Sequence, residues 1–204
     1  MATKGYTLIE ILVAVSVFFV VIAAPTGFFV ASLKGQQKAL MSQEMVDNVS
    51  YTLERVTRAV RMAKKETSCA DPGDPSTCDC LKNMGYGYNY ELIDEADRKG
   101  LRFKSYHPEP VCQEIFWDKN DNRLKEVKDG ATAVYLTPSE IEVIDFAVNL
   151  EGEAQLDPAG YLENIQPRAT LFLEAKEVRG QRPELQPGIK IQTTISQRNL
   201  DVAY

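Results

Sequence analysis

The sequence predicts an α+β protein in which one long N-terminal helix packs on a C-terminal domain of mainly antiparallel sheet. Three observations predict it. Residues 11–33 are apolar or small and carry no Asp, Glu, Lys, Arg or His. Apolar residues then recur every three or four positions between residues 46 and 63, which is typical of an amphipathic helix. Beyond residue 85 the period shortens to about two, which is typical of strands.

The apolar run 11–33 predicts a transmembrane helix. At about 1.5 Å per residue it would extend roughly 35 Å, which exceeds the roughly 30 Å hydrocarbon layer of a bilayer. Glu10 lies directly before this run. A charge at the bilayer centre costs about 2.5 to 3.5 kcal/mol on insertion scales, so this carboxylate is a candidate functional group. The alternative is that Glu10 lies at the interface and is solvated by headgroups.

The segment Gly5-Tyr6-Thr7-Leu8-Ile9-Glu10, followed by a long apolar run, resembles the class III signal of type IV pilins and of type II secretion pseudopilins. The resemblance implies that prepilin peptidase cuts between Gly5 and Tyr6 and that the new N-terminus is methylated. It also implies assembly roles for Glu10 and Thr7. The implied segments are a leader (1–5), a filament-core helix (6–33), an amphipathic helix (34–65) and a globular β-rich pilin-like domain with a cysteine loop (66–204).

The pilin-like pattern implies a location and a set of partners. The chain would be a single-pass protein of the cytoplasmic membrane, with its C-terminal domain outside, and would then enter an extracellular or periplasmic filament. Its partners would be other pilin or pseudopilin subunits, the peptidase and an inner-membrane assembly platform. After the cut, Tyr6 would carry a free α-amine, largely protonated near neutral pH, that could pair with Glu10 of a neighbouring subunit.

Charge and motif content argue against nucleic-acid binding and against catalysis. The chain has 23 basic and 29 acidic residues and a formal charge of −6, which disfavours binding to nucleic acid by overall charge. It lacks a G-x-S-x-G nucleophile turn and a phosphate loop, and His107 is its only histidine. We therefore expect His107 to be structural or at the surface, and we expect neither an enzyme nor a resident cofactor.

Two features divide the predicted helix. Pro25 and Gly27 predict a kink or a locally melted turn, or a proline tolerated because the chain leaves the membrane nearby. The amphipathic half is expected to lie against the sheet domain and to continue to Lys65, a short free coiled coil being the alternative. Its apolar seam consists of Val46, Val49, Leu53, Val56, Val60 and Ala63. The pattern LERVTRAV in this half also resembles the corresponding helix of J-type minor pseudopilins.

Five cations follow one another on the same half of the helix. They are Arg55, Arg58, Arg61, Lys64 and Lys65. One interpretation is a strip that contacts acidic neighbours in a filament, or DNA. The other is a solvated helix face with cations near the C-terminus, where the helix dipole favours them.

Four cysteines, Cys69, Cys78, Cys80 and Cys112, are an even number in a domain expected to be exported, so they predict two disulfides. Cys78 and Cys80 are too close in sequence to bond well to each other. This leaves 69–78 with 80–112, or 69–80 with 78–112. A zinc site made by all four cysteines is the alternative.

The rest of the chain predicts strands. Tyr86, Tyr88 and Tyr90 alternate, and Asp97 to Gly100 read as the turn of a hairpin. Strands are predicted at residues 101–106, 111–118, 123–127, 133–136, 142–150, 169–178 and 189–197.

One loop is a weak calcium candidate. Asp118, Asn120, Asn122 and Asp129 occupy positions 1, 3, 5 and 12 of an EF-hand-like spacing. Arg123 stands where that loop needs glycine, so a simple hairpin turn is the favoured interpretation.

These patterns together predict a structural subunit, more specifically a minor pilin or pseudopilin, of a type IV pilus or a type II secretion pseudopilus. The alternatives are a DNA-binding or adhesive tip pilin, and a bitopic membrane protein with an extracellular sensing domain.

Overall fold

The computed structural model describes residues 5–106, 109–152, 166–178 and 186–198. In these residues one helix, α1 (Leu8–Arg61), precedes nine strands. The strands are β1 (Ala63–Lys64), β2 (Tyr90–Asp94), β3 (Arg98–Tyr106), β4 (Pro110–Asp118), β5 (Arg123–Lys128), β6 (Val134–Tyr135), β7 (Ile141–Glu151), β8 (Arg168–Glu177) and β9 (Gly188–Ser196). The predicted α+β class, with a long N-terminal helix on antiparallel sheet, is confirmed.

Helix α1 has 54 residues and is therefore about 80 Å long. It is helical without interruption across Pro25 and Gly27, so the locally melted turn predicted there is not found along this helix. The helix also ends earlier than predicted, at Arg61.

The early end of α1 has a structural reason. The backbone oxygen of Val60 accepts a hydrogen bond from the Tyr90 hydroxyl at 3.2 Å, and that of Arg61 accepts one from the Arg198 amide at 3.0 Å. Both carbonyls at the helix end thus find partners in the globular domain. The next residues leave the helix and pair as β1 with Ser105 and Lys104 of β3.

The strands form two antiparallel sheets, where the sequence suggested one. In the six-stranded sheet, β3, β4, β5 and β6 are neighbours in that order, and β1 and β2 both pair with the other edge of β3. The second sheet has the order β7, β8, β9. The end of α1 contacts β8, β9 and β3, while β7 contacts β3, β4 and β5, so the helix and both sheets enclose one core.

The core side of α1 follows the predicted seam with one correction. Val49, Leu53, Val56 and Val60 are buried, but Val46 is 43% exposed and Met45 is buried in its place. Positions 45, 49, 53, 56 and 60 lie on one face of a helix with 3.6 residues per turn. Position 46 lies about 100° around the helix from position 45 and therefore at the edge of that face.

The first hairpin differs from its prediction. Only Tyr90 of the three alternating tyrosines lies in a strand, and the turn precedes Arg98, so the expected turn residues 98–100 already belong to β3. Gly100 is needed there because a Cβ at this position would approach the Ile115 backbone oxygen to 2.1 Å. The remaining predicted strands are found with each end shifted by at most one residue.

Candidate functional site

The N-terminal part of α1 has no cover within the chain. Between residues 5 and 40, every residue whose burial is described is exposed. The exposed fraction is 82% for Leu8 and 66% for Phe19. Within the described ranges, α1 is the one helix long and apolar enough to span a membrane, and none of its apolar window is buried. Lipid or other protein chains must cover such a surface in the cell.

The start of α1 is capped by the Thr7 side chain, which makes one of the two hydrogen bonds of a capping box. Thr7 is the N-cap, with extended backbone, and its hydroxyl accepts a hydrogen bond from the Glu10 amide at 3.4 Å. Glu10 is the third helical residue, where a carboxylate also interacts favourably with the helix dipole. The spacing Thr-x-x-Glu is the sequence signature of this arrangement, and the sequence analysis missed it.

The Glu10 carboxylate itself is exposed and has no ion-pair partner among the described residues. The preceding Tyr6 is 80% exposed. Gly5 and Tyr6 lie before α1 in non-helical backbone, so the peptide bond predicted to be cut is accessible to a protease. The structure therefore brings Gly5, Tyr6, Thr7 and Glu10 together in one exposed segment. Residues 1–4 of the predicted leader lie outside the described residues.

Two polar side chains within the apolar part of α1 are satisfied by their own helix. The hydroxyl of Ser16 donates to the Leu12 backbone oxygen at 2.6 Å, and that of Thr26 donates to the Ile22 oxygen at 2.8 Å. Both bonds bridge one turn and hide the hydroxyl donor from an apolar surrounding. This surface is therefore suited to hydrocarbon or to the apolar face of another helix.

The cysteines form two disulfides, Cys69–Cys78 and Cys80–Cys112. This is the first of the two predicted pairings. All four sulfurs are consumed, so the zinc alternative is wrong. Cys69–Cys78 closes a small loop around a short 3-10 turn (Pro75–Thr77), while Cys80–Cys112 attaches the loop to β4.

A buried ion pair holds the same loop against β3. The Glu66 carboxylate contacts the Lys104 ammonium at 2.8 Å and accepts the amides of Ser68 and Cys80 at 2.8 and 3.0 Å. Burial alone would raise the pKa of Glu66, but the Lys104 ammonium and the two amides outweigh it and lower the pKa below its ordinary value of 4.5. The sequence contained no signal for this pair, because its partners are 38 residues apart.

The calcium candidate is wrong, because its four side chains do not converge. Asp118 contacts the Lys125 ammonium at 2.7 Å, and Asp129 lies at the far end of β5, where it accepts the Cys112 amide at 2.7 Å. The two ends of β5 are five residue steps apart, which is roughly 17 Å. Asn122 donates to Glu142 at 3.2 Å, and Asn120 donates its amide to Asp118 at 2.9 Å. Residues 119–122 form the predicted hairpin turn between β4 and β5. No cluster of metal-ligating side chains occurs in the described part of the chain.

The cations of the helix end have separate environments. Arg55 pairs with the buried Glu126, and Arg58 pairs with Glu54 at 2.8 Å, as its spacing predicts. Arg61 has no ion-pair partner among the described residues. His107 lies outside the described residues.

We compared the chain with known proteins: no family model, no curated protein and no solved structure matches it.

Proposed function

We propose that this chain is a structural subunit of a type IV pilin-like or pseudopilin filament. It would be inserted into the membrane as a precursor, cut between Gly5 and Tyr6, and packed into the filament core through the first half of α1. Its role would be assembly and contact with other subunits rather than catalysis. The observation that carries the proposal is a single continuous helix with an uncovered apolar half and a half buried in a folded domain.

Exposed apolar side chains beyond the membrane-length run favour the interpretation that other protein chains, and not lipid alone, cover α1. Leu40 and Tyr51 are 65% and 67% exposed and lie about three turns apart on one side of α1. Leu40 is seven residues beyond Leu33, or about 10 Å, and Tyr51 about 27 Å. Side chains at that height are beyond the hydrocarbon layer, so neighbouring subunits would cover them.

The exposed carboxylate supports a pairing role for Glu10. In the cut chain, the α-ammonium of Tyr6 would stand at the positive end of the α1 dipole, which is unfavourable for a cation. A carboxylate from an adjacent subunit would neutralise this ammonium and so relieve the repulsion. The same pairing would remove the cost of burying that carboxylate without a partner. Glu10 is free to act in this way because its side chain has no ion-pair partner among the described residues.

The decisive experiment is the mass and N-terminal sequence of the mature protein from cells with active prepilin peptidase. We expect the chain to begin at methylated Tyr6. A mature chain that retains residues 1–5 would reject the filament proposal and favour an ordinary bitopic membrane protein.

A second experiment tests the role of Glu10. Glu10→Ala should be cut and inserted like the parent chain, but its incorporation into sheared filaments should fall at least about tenfold. Glu95→Ala, which removes an exposed carboxylate from the globular domain, is the matched control and should assemble normally. Equal incorporation of Glu10→Ala and the parent would show that the carboxylate is not an assembly contact.

A further inference from the structure

A basic groove lies between the C-terminal end of α1 and the edge strand β9. It has a volume of about 610 Å³, and six of its lining residues are Thr57, Arg58, Arg61, Thr194, Ser196 and Arg198. The backbone bond from the Arg198 amide to the Arg61 oxygen joins its two walls. Three guanidinium groups and three hydroxyl groups thus border one depression of the surface.

Among the described residues, the groove has more positive charge than the neighbouring carboxylates neutralise. Arg58 contacts Glu54, the one acidic side chain among the described lining residues, at 2.8 Å. Arg61 and Arg198 are exposed and have no ion-pair partner in the part of the chain that the structure describes. Two exposed guanidinium groups beside hydroxyl donors form a receptor for carboxylates.

The disulfide loop has the opposite charge. Residues 66–81 contain four acidic residues and no Lys or Arg, and Glu66 is neutralised by Lys104. Asp71, Asp74 and Asp79 are exposed, and the nearest cation to Asp79 is the Lys104 ammonium at 3.8 Å. Hydrogen bonds from Ser76 lower the pKa of Asp74, so this group stays ionised at neutral pH.

The acidic loop is also rigid enough to bind without a large loss of entropy. Cys69–Cys78 encloses Asp71 and Asp74, and Cys80–Cys112 fixes the base of the loop to β4. Preorganised segments lose little conformational entropy when they bind.

We propose that the groove at Arg58, Arg61 and Arg198 receives the acidic disulfide loop, at Asp71 and Asp74, of a second copy of this chain. The groove borders β9 of the three-stranded sheet, whereas the loop is attached to β3 and β4 of the six-stranded sheet. The two patches consist of different residues, so in the proposed filament the contact repeats head to tail and is heterologous. Repeated heterologous contacts that do not close a ring produce an open helical filament.

This contact rests on the proposed filament function and names one of its interfaces. Lipid headgroups are too distant to be the ligand. Arg61 is 28 residues beyond Leu33, which is about 42 Å along a helix perpendicular to the membrane. Nucleic acid is disfavoured by the net charge of −6, whereas an acidic chain offers carboxylates of its own.

Charge reversal tests the contact. Two differently tagged copies of the full chain are co-expressed, extracted in detergent and co-purified at about 0.1 M salt. Reversal of the groove (Arg58→Glu with Arg61→Glu), or of the loop (Asp71→Lys with Asp74→Lys), should lower the co-purified yield by about tenfold. A chain with both reversals should recover most of the parent yield, because its groove and loop are complementary again. Association of the parent should weaken towards 1 M salt, where the Debye length shortens from about 10 Å to about 3 Å.

The matched control reverses two cations at the opposite end of β8 and β9 from the groove, Lys176→Glu with Lys190→Glu, and should leave the yield unchanged. Unchanged association in either single reversal would overturn the contact. Failure of the combined reversal to recover would overturn it as well and would leave the arginines as partners of the helix dipole or of a polyanion such as nucleic acid. Filament incorporation is scored separately. If every reversal variant is incorporated normally, this contact is rejected and the filament function is retained. If the parent chain itself is absent from filaments, the filament function is rejected, and the co-purification still tests the contact.

Discussion

The two halves of α1 differ both in apolar content, which is higher in the first half, and in surroundings. From Leu8 to Leu40 the apolar side chains whose burial is described are exposed all around the helix. Between Met45 and Val60, the side chains at positions 45, 49, 53, 56 and 60 form one stripe that is buried by the two sheets. A helix that is apolar all round needs lipid or several protein neighbours, whereas a helix with one apolar stripe needs a single surface. The difference divides the helix into a part that other molecules cover and a part that its own domain covers.

The largest effect that tests this division comes from a buried charge. Val49 is fully buried, so Val49→Asp should destabilise the globular domain by about 4 kcal/mol or more, because an unpaired carboxylate loses its hydration there. Val20 is 71% exposed, so Val20→Asp should leave the domain's thermal unfolding unchanged. Near-UV circular dichroism of the full chain in detergent measures both.

The Val20→Asp variant should instead insert less well into membranes, since an acidic residue near the middle of a span costs about 2.5 to 3.5 kcal/mol. Its membrane fraction in cells measures this. Loss of domain stability in Val20→Asp would mean that the first half of α1 also packs on the domain.

A smaller effect is expected at the ion pair that holds the disulfide loop. Because the pKa of Glu66 is lowered in the folded state, its stabilising contribution is complete above its ordinary value of 4.5 and is lost as the pH falls through the lowered pKa. Glu66→Gln should lower the free energy of unfolding by about 1 to 3 kcal/mol at neutral pH. The difference between parent and variant should shrink at acid pH.

Denaturant unfolding of parent and Glu66→Gln between pH 7 and pH 3 measures that difference. Glu95→Gln removes half of an exposed ion pair and should cost less than about 1 kcal/mol at any pH. A parent-minus-variant difference that stays constant down to pH 3 would contradict the role given to Glu66.

The smallest effect is expected at the first turn of α1. Thr7→Ala removes the N-cap oxygen and should destabilise this turn by about 1 kcal/mol without changing the unfolding of the globular domain. Amide hydrogen exchange at Glu10 in detergent micelles should become severalfold faster. Thr7→Ser retains the hydroxyl and should exchange like the parent; equally fast exchange in both variants would mean that the cap is not formed.

Local patterns predicted most of the elements. The period of 3.6 located the buried stripe of α1, because burial on one side of a helix repeats at that spacing, and the period of two located β4, β5, β7, β8 and β9. The prediction was wrong where contacts between residues distant in sequence determine the local structure. The end of α1 at Arg61 depends on the Arg198 amide and the Tyr90 hydroxyl. The calcium spacing was wrong because β5 separates Asp118 from Asp129.

The sequence by itself determined that the chain has a membrane-length apolar helix, an amphipathic continuation and a β-rich domain, because hydrophobic periodicity is a local property. Only the tertiary structure decided the division into two sheets, the choice between the two disulfide pairings, the Glu66–Lys104 pair and the groove between α1 and β9. Apart from the Cys69–Cys78 bond, each of these joins residues far apart in sequence. Their proximity depends on how the chain returns to the core, which no local pattern specifies.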